Sequence, residues 1–277
     1  MKAASQLGVD ATTVGRRIKR LELSLGLTLF EQTREGHVLS EAGEALLSKA
    51  EEMERLANSI DNNSEKSRIT SGLVRVSTSE GFGTWFIAHH LKSFLSIYPE
   101  VHVDLVASSG FLSPSKRETD VAVLLARPRS GPLVSRKLAD YGLRLYGSQS
   151  YLDCSPHVHD ADDLKSHQLI GYIPDFIYAP ELRYLDEISS SLVLRARSSS
   201  INAQYRLIAS GAGIGVLPCF IGDASPTLVP VLPQTRITRT FWLVTHQDTR
   251  RLARIKAFVE WLTTLVVEKR NILSGMQ

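Results

Sequence analysis

The stretch DATTVGRRIKRLE, Asp10 to Glu22, decides how this chain is read. Arg16, Arg17, Lys19 and Arg20 crowd into about one and a half turns of a helix. Val14, Ile18, Leu21 and Leu25 recur at three- and four-residue steps, which predicts one inward face with Thr12, Thr13 and the basic residues on or beside the other. Asp10 is placed to cap the helix, its carboxylate accepting from the free N–H groups of the first turn. Upstream, Ala3-Ala4-Ser5-Gln6-Leu7 reads as the end of another helix. Gly8-Val9 reads as a tight break, and the small Ala4 lets the two helices cross closely. This is the pattern of a helix-turn-helix, whose second helix enters the major groove of duplex DNA.

The residues that follow extend the reading. Leu29-Phe30 predicts a short strand, Gly36 a turn, and His37 to Leu39 a return strand, with Ser40 then capping a helix that carries Glu41 and Glu44 in its first turn. Such a hairpin is a wing. Arg34 and His37 are its candidates for a neighbouring minor groove or phosphates, and Ser40 is a candidate phosphate donor as well as a cap. A run of basic residues on a helix is ordinarily a solvated face. Here a helix-turn-helix spacing before it and a wing after it agree on DNA binding by Thr12, Thr13, Arg16, Arg17, Arg20, Arg34, His37 and Ser40.

The bulk numbers restrict the rest. The chain has 277 residues, a formal charge of +3 and 43% hydrophobic residues, which predicts about two domains and confines any nucleic-acid role to a local patch. The cysteines Cys154 and Cys219 form no C-x-x-C pair, as in a reducing compartment. MKAASQLGVD lacks the apolar core of a signal peptide, and no apolar run approaches the roughly 18 residues that cross a bilayer. The chain reads as soluble and cytoplasmic, with no membrane partner.

AASQLGVDATTVGRRIKRLELSLGLTLFEQTREGHVLSEAGEALL closely resembles the winged helix-turn-helix of LysR-type transcriptional regulators. In that family the second helix commonly begins Ser-Gln-Pro-Ala-Val-Ser-Arg. The matching stretch here is Asp10 to Arg16, with Ala11 at the usual Gln and Gly15 at the usual Ser. Two side chains that often touch DNA are therefore absent, and Thr12, Thr13, Arg16 and Arg17 carry more of the contact. Arg16 or Arg17 against a guanine edge is the leading candidate, such a contact discriminating by about 1–3 kcal/mol. The resemblance also implies a further helix ahead of AASQL, for which this sequence, beginning at Met1, has no counterpart.

Leu46, Ala50, Met53, Ala57 and Ile60 repeat at heptad-like steps, which predicts a helix from about Glu41 to Ser59 that joins two copies. A dimer gives two recognition helices a fixed separation on two half-sites. Asp61 to Arg68 is aperiodic and reads as a hinge. Beyond it, short apolar strands alternate with helices: Leu73 to Thr78, a helix from about Gly83 to Ile97, Val101 to Ala107, Asp120 to Ala126 and Leu133 to Leu138. A second α/β unit follows over about Ser148 to Gln234, with a strand at Leu192 to Arg197 and a helix at Ile201 to Ser210. Ile237 to His246 then predicts a strand of the first unit's kind, and a helix closes the domain from about Arg250 to Glu268.

This alternation resembles the effector domain of the same regulators. It implies an α/β fold with two Rossmann-like lobes of the type 2 periplasmic-binding-protein kind behind the winged helix-turn-helix and linker helix. The expected division is 1–40 for DNA binding, 41–68 for dimerisation and hinge, and 69–277 for effector binding. Lobe I takes about 69–147 and 236–270, and lobe II about 148–235. Ligands of such folds sit against strand C-terminal ends and helix N-termini. That selects Thr78, Ser79 and Glu80 after the first strand, Arg127 after Asp120 to Ala126, and Ser199, Ser200 and Asn202 at the start of a helix. Plain capping is the competing reading for each serine. Glu80 argues against a simple anion pocket. It is expected either to pair with Arg127 or to meet a cationic part of the ligand.

Other constellations carry less. In Ser210 to Pro218 the helix comes before the glycines and the strand after, the reverse of a dinucleotide fingerprint. Gly211 reads as a helix C-cap instead. His89-His90 and the pair His157 and His159 have no carboxylate or Cys at ligand spacing. Neither cysteine has a His partner to make it a nucleophile. No catalytic set, metal or cofactor is expected. The chain reads as a DNA-binding transcriptional regulator whose DNA binding or geometry is set by a small-molecule effector. It would act as a homodimer or homotetramer and could touch RNA polymerase. The alternative is a solute-binding or enzymatic α/β protein with a vestigial DNA-binding segment.

Overall fold

In the computed structural model the described residues are 10–33, 36–61, 70–108, 118–128, 131–189 and 191–276. The chain divides into two compact units, Met1–Arg68 and Ile69–Gln277.

In the first unit, helix α1 spans Ala11–Leu25 and ends at Gly26, whose φ of 68° lets its N–H turn back to the Glu22 carbonyl. Strands β1 (Phe30–Thr33) and β2 (Gly36–Leu39) pair antiparallel, Phe30 opposite Leu39, and lead into helix α2 (Glu41–Asp61). Val14 and Ile18 are half-buried, whereas Leu21 and Leu25, expected on the inward face, are 43% and 44% exposed. The reason is local. At that level Glu22 turns inward instead, and its Oε1 accepts the Leu29 N–H at 2.8 Å and the Phe30 N–H at 3.3 Å. These bonds lash the helix to the start of the wing. Ala4, Gly8, Arg34 and most of the hinge lie outside the described residues.

The second unit holds one mixed sheet. Its described strands are β3 (Gly72–Ser79), β4 (Val101–Ser108), β5 (Val121–Leu124), β6 (Leu133–Ser148), β7 (Leu169–Tyr172), β8 (Leu194–Ser198), β9 (Ile214–Pro218), β10 (Leu228–Val231) and β11 (Ile237–His246). They lie in the order β4-β3-β5-β11-β6-β9-β7-β8, with β10 beside β6. Parallel pairing within β4-β3-β5 and within β9-β7-β8 marks two α/β halves. The antiparallel ribbon of β6 and β11, paired from Leu133↔His246 to Leu143↔Ile237 with a register shift between Phe241 and Trp242, joins them.

Strand β6 was expected to stop at Leu138. It runs on to Ser148, because Asp140 is held by Lys137 Nζ at 2.6 Å and Thr240 Oγ1 at 2.6 Å. Gly142 lets the chain end pass close by, since a Cβ there would stand 2.6 Å from the Ser274 carbonyl oxygen. One strand thus serves both halves.

Helices cover the sheet: α3 (Ala88–Ile97), α4 (Ile201–Ala209) and α5 (Ala253–Glu268). A π-helical segment, Phe82–Ile87, feeds into α3. It forms where Gly83 presses on the sheet, a Cβ there lying 2.5 Å from Ala107 Cβ and 2.8 Å from Thr78 Cγ2. α3 and α5 pack through Phe94 and Phe258, both fully buried with ring centroids 5.2 Å apart, and through Trp261 Nε1 donating to Ser93 Oγ at 3.0 Å. Each buried Phe contributes about 1.5–3 kcal/mol through area removed from water.

Candidate functional site

Helix α1 presents its cations to solvent. Arg16, Arg17, Lys19 and Arg20 are all exposed, and among the described residues none has a carboxylate partner. His37, on the wing strand opposite Gln32, is exposed as well. Thr12 and Thr13 are differently placed. Both hydroxyls donate to the Asp10 carboxylate, Thr13 Oγ1 at 2.8 Å, and the Thr13 N–H donates to it at 2.8 Å. These bonds, the Thr12 hydroxyl first, hold the Asp10 carboxyl well below the usual carboxylate range. With their protons turned to Asp10, the two threonine hydroxyls have none left to donate elsewhere.

Ser40 is corrected more sharply. It is buried, its hydroxyl donates to the Thr28 carbonyl at 2.5 Å, and it accepts the Gly43 N–H at 3.0 Å. No proton remains for a phosphate. Its work is to pin the chain before β1 to the first turn of α2. Gly43 belongs to the same joint, where a Cβ would stand 2.1 Å from the Leu29 carbonyl oxygen. On α2, Leu46 is half-buried, while Ala50 and Met53 of the predicted seam are exposed, Met53 by 71%.

In the second unit the segments after β3 and β8 meet. Glu80 Oε1 accepts from Ser200 Oγ at 2.8 Å and Asn202 Nδ2 at 3.0 Å, and Oε2 accepts the Ile201 N–H at 2.9 Å. Asn202 Oδ1 in turn accepts the Trp85 indole N–H at 2.7 Å. Ser200 caps α4, accepting from the Ala203 N–H at 3.1 Å while its own proton goes to Glu80. Ser79 and Ser199 line the cavity beside this knot, with Tyr172 and Tyr178 among its walls. Burial, with the Glu80 carboxylate adding to it, pushes the Tyr178 hydroxyl up to about 12, and burial raises Tyr172 likewise. Both rings stay neutral.

Two expectations about the cleft are corrected. Thr78 is fully buried against Gly83 and is not among the cavity-lining residues. Arg127 is exposed, its guanidinium 5.6 Å above the Trp242 ring, and Glu80 takes its partners from the start of α4 instead. The aromatic floor was not anticipated. Tyr141 and Phe241 stack with centroids 4.0 Å apart, and Phe82 lies 4.2 Å from Phe241. With the halves as they stand the cavity measures about 20 Å³, room for roughly one water. A neighbouring cavity of about 180 Å³, lined by Ile177, Leu185, Leu194 and Gln204, shares Tyr172, Leu182 and Tyr184 with it.

Among the described residues no group of three or more His, Cys, Asp or Glu is placed to hold a metal. No described helix is long and apolar enough to cross a membrane. Cys154 is exposed and Cys219 buried, and both are free thiols. Ser210, not Gly211, is the C-cap of α4, and Gly211, with a φ of 85°, turns the chain just beyond it towards the buried strand β9.

A cationic helix with a wing, followed by a two-halved α/β domain closed around a small cleft, defines a ligand-responsive DNA-binding regulator. Residues 1–44 match the family model described as "Bacterial regulatory helix-turn-helix protein, lysR family", and residues 67–266 match "LysR substrate binding domain". The chain belongs to the LysR family of transcriptional regulators, which disfavours the solute-binding and enzymatic alternative. It is 27% identical over 269 residues to the HTH-type transcriptional regulator PtxR of Pseudomonas aeruginosa, covering 94% of this chain and 86% of that one. To the regulator CrgA of Neisseria meningitidis it is 26% identical over 281 residues, covering 99% and 93%. In fold it is similar to the solved structure of CrgA, with a TM-score of 0.63 at 24% identity over 95% of this chain and 92% of that one. A full-length OxyR variant from Pseudomonas aeruginosa gives a TM-score of 0.68 at 18% identity, covering 96% and 91%.

Proposed function

We propose that this regulator reads DNA with Arg16, Arg17 and Arg20, aided by His37 and Arg34 of the wing, as a cytoplasmic homodimer or homotetramer whose geometry is set by an effector in the cleft beside Glu80. The carrying observation is the exposed cluster on α1, which has no carboxylate partner among the described residues. Arg16 or Arg17 meets a guanine edge, and the remaining cations meet phosphate. The exposed Met53 and Ala50 of α2 supply the apolar seam between two copies, and pairing there fixes the half-site spacing. Effector binding then shifts the balance between two arrangements of the halves by its difference in affinity for them. Contact of the assembly with RNA polymerase is part of the same proposal.

The test is a salt series on DNA fragments from beside the gene, with native chain and Arg16→Ala. Specific binding that weakens steeply with salt in the native chain and is markedly weaker in the variant is the expected result. Equal binding by both would overturn the assignment.

A further inference from the structure

The start of α4 holds a carboxylate, and it belongs to the chain. Free N–H groups at a helix start, a serine hydroxyl and an amide nitrogen are the donors that receive an acid's anionic group. Here Ser200 Oγ, the Ile201 N–H and Asn202 Nδ2 all point to Glu80, at 2.8, 2.9 and 3.0 Å. Glu80 follows β3 in one half of the domain, whereas its donors follow β8 in the other. Among the described residues lining the adjoining cavity, Glu80 is the one charged side chain, and the walls are largely aromatic.

We propose that Glu80 is a ligand built into the cleft. Its carboxylate occupies the anion position of α4, holds the two halves together without an effector, and selects against acids. This rests on reading the cleft as the effector site. An external carboxylate must displace a group tethered at the site, whose effective concentration is about millimolar or higher. The displaced Glu80 would then stand beside a second negative charge in a part-buried place. No cation is among the described residues lining this cavity, and Arg183 of the neighbouring one is accompanied there by Asp186. The effector this cleft admits is uncharged or cationic, and it presents donors to Glu80 rather than acceptors to α4.

The test uses the full chain, with sodium acetate and sodium benzoate as probes and sodium chloride at equal ionic strength as control. In the native chain neither acid is expected to shift Tm beyond the chloride control, nor to move the indole N–H resonance of Trp85, which reports the neighbouring bond to Asn202. In Glu80→Ala the donor set is vacant. Acetate is expected to raise Tm by about 3 °C or more over chloride, saturably. If Glu80→Ala is recovered only as aggregate, acetate but not chloride is expected to restore soluble chain.

Saturable acid binding by the native chain, or a Glu80→Ala chain indifferent to acetate in stability and in recovery, would overturn the proposal. Acetate rescue in a chain whose DNA binding answers no small molecule would leave Glu80's place intact and sink the effector reading instead.

Discussion

The Trp85 indole N–H donates to Asn202 Oδ1 at 2.7 Å, and Asn202 Nδ2 donates to Glu80 at 3.0 Å, so one amide binds two groups of the opposite half. Asn202→Ala leaves the indole N–H without its acceptor and removes one donor from Glu80. The expected cost is about 1–3 kcal/mol, read as a fall in Tm of roughly 2–4 °C per kcal/mol. Trp85→Phe keeps a ring against Tyr205, whose centroid lies 4.8 Å away, and is expected to cost less. An unchanged Tm in Asn202→Ala would remove this bond from the forces that close the cleft.

Arg16→Ala and Arg17→Ala are expected to weaken specific DNA binding roughly tenfold to hundredfold, as the loss of a base contact worth about 1–3 kcal/mol requires. Thermal unfolding of the effector unit should not change. Thr13→Ala should act otherwise. Its hydroxyl is committed to Asp10, so the loss should appear in helix content by circular dichroism rather than in base preference. Titration of each variant on one DNA fragment separates the two classes.

Two glycines on the DNA-binding unit should respond with opposite signs. Gly15 is exposed within α1 with nothing within 4 Å of an added Cβ, so Gly15→Ala is expected to stabilise by about 0.5–1 kcal/mol. Gly43→Ala would set a Cβ 2.1 Å from the Leu29 carbonyl oxygen and is expected to destabilise by about 1–3 kcal/mol through forced backbone movement. Denaturant unfolding of the two variants checks both signs.

His167 gives the effector unit a pH dependence. Burial lowers its pKa below the ordinary 6.5, with the charge of Asp163 and then the Pro156 backbone opposing. In the window between its folded pKa and 6.5 the unfolded chain binds more protons than the folded one. Stability from this group is therefore full above about 6.5 and is lost as pH falls through the depressed value. His167→Asn is expected to flatten that slope in a series of Tm measurements from pH 7.5 to 5 (about neutral to mildly acidic). An equally steep slope in the variant would assign the effect elsewhere.

What the sequence disclosed followed the range over which its physics acts. The β-branched and aromatic run of Ile237 to His246 marked a strand at the bounds that the structure has, and the step pattern of α1 marked a helix capped by Asp10. The continuation of β6 past Leu138 was hidden because Asp140 and Gly142 resemble a turn. Their reasons for being in a strand, Thr240 and Ser274, are far along the chain. The same holds in the cleft. That Ser200 caps a helix is visible locally, but that Glu80 is its third-party acceptor depends on a fold that brings together residues 120 apart. Ser40 was legible as a cap, and its burial against Thr28 was not.

The ribbon of β6 and β11 acts as a leaf spring. Two hydrogen-bonded strands resist stretching and shearing in their own plane, yet twist readily about their length. A turn of one half against the other is expected to twist this ribbon near Tyr141 and Phe241, whose rings stack with centroids 4.0 Å apart. The register shift between Phe241 and Trp242 and the small Gly142 lie in this same stretch, so the ribbon is least regular where its two halves join.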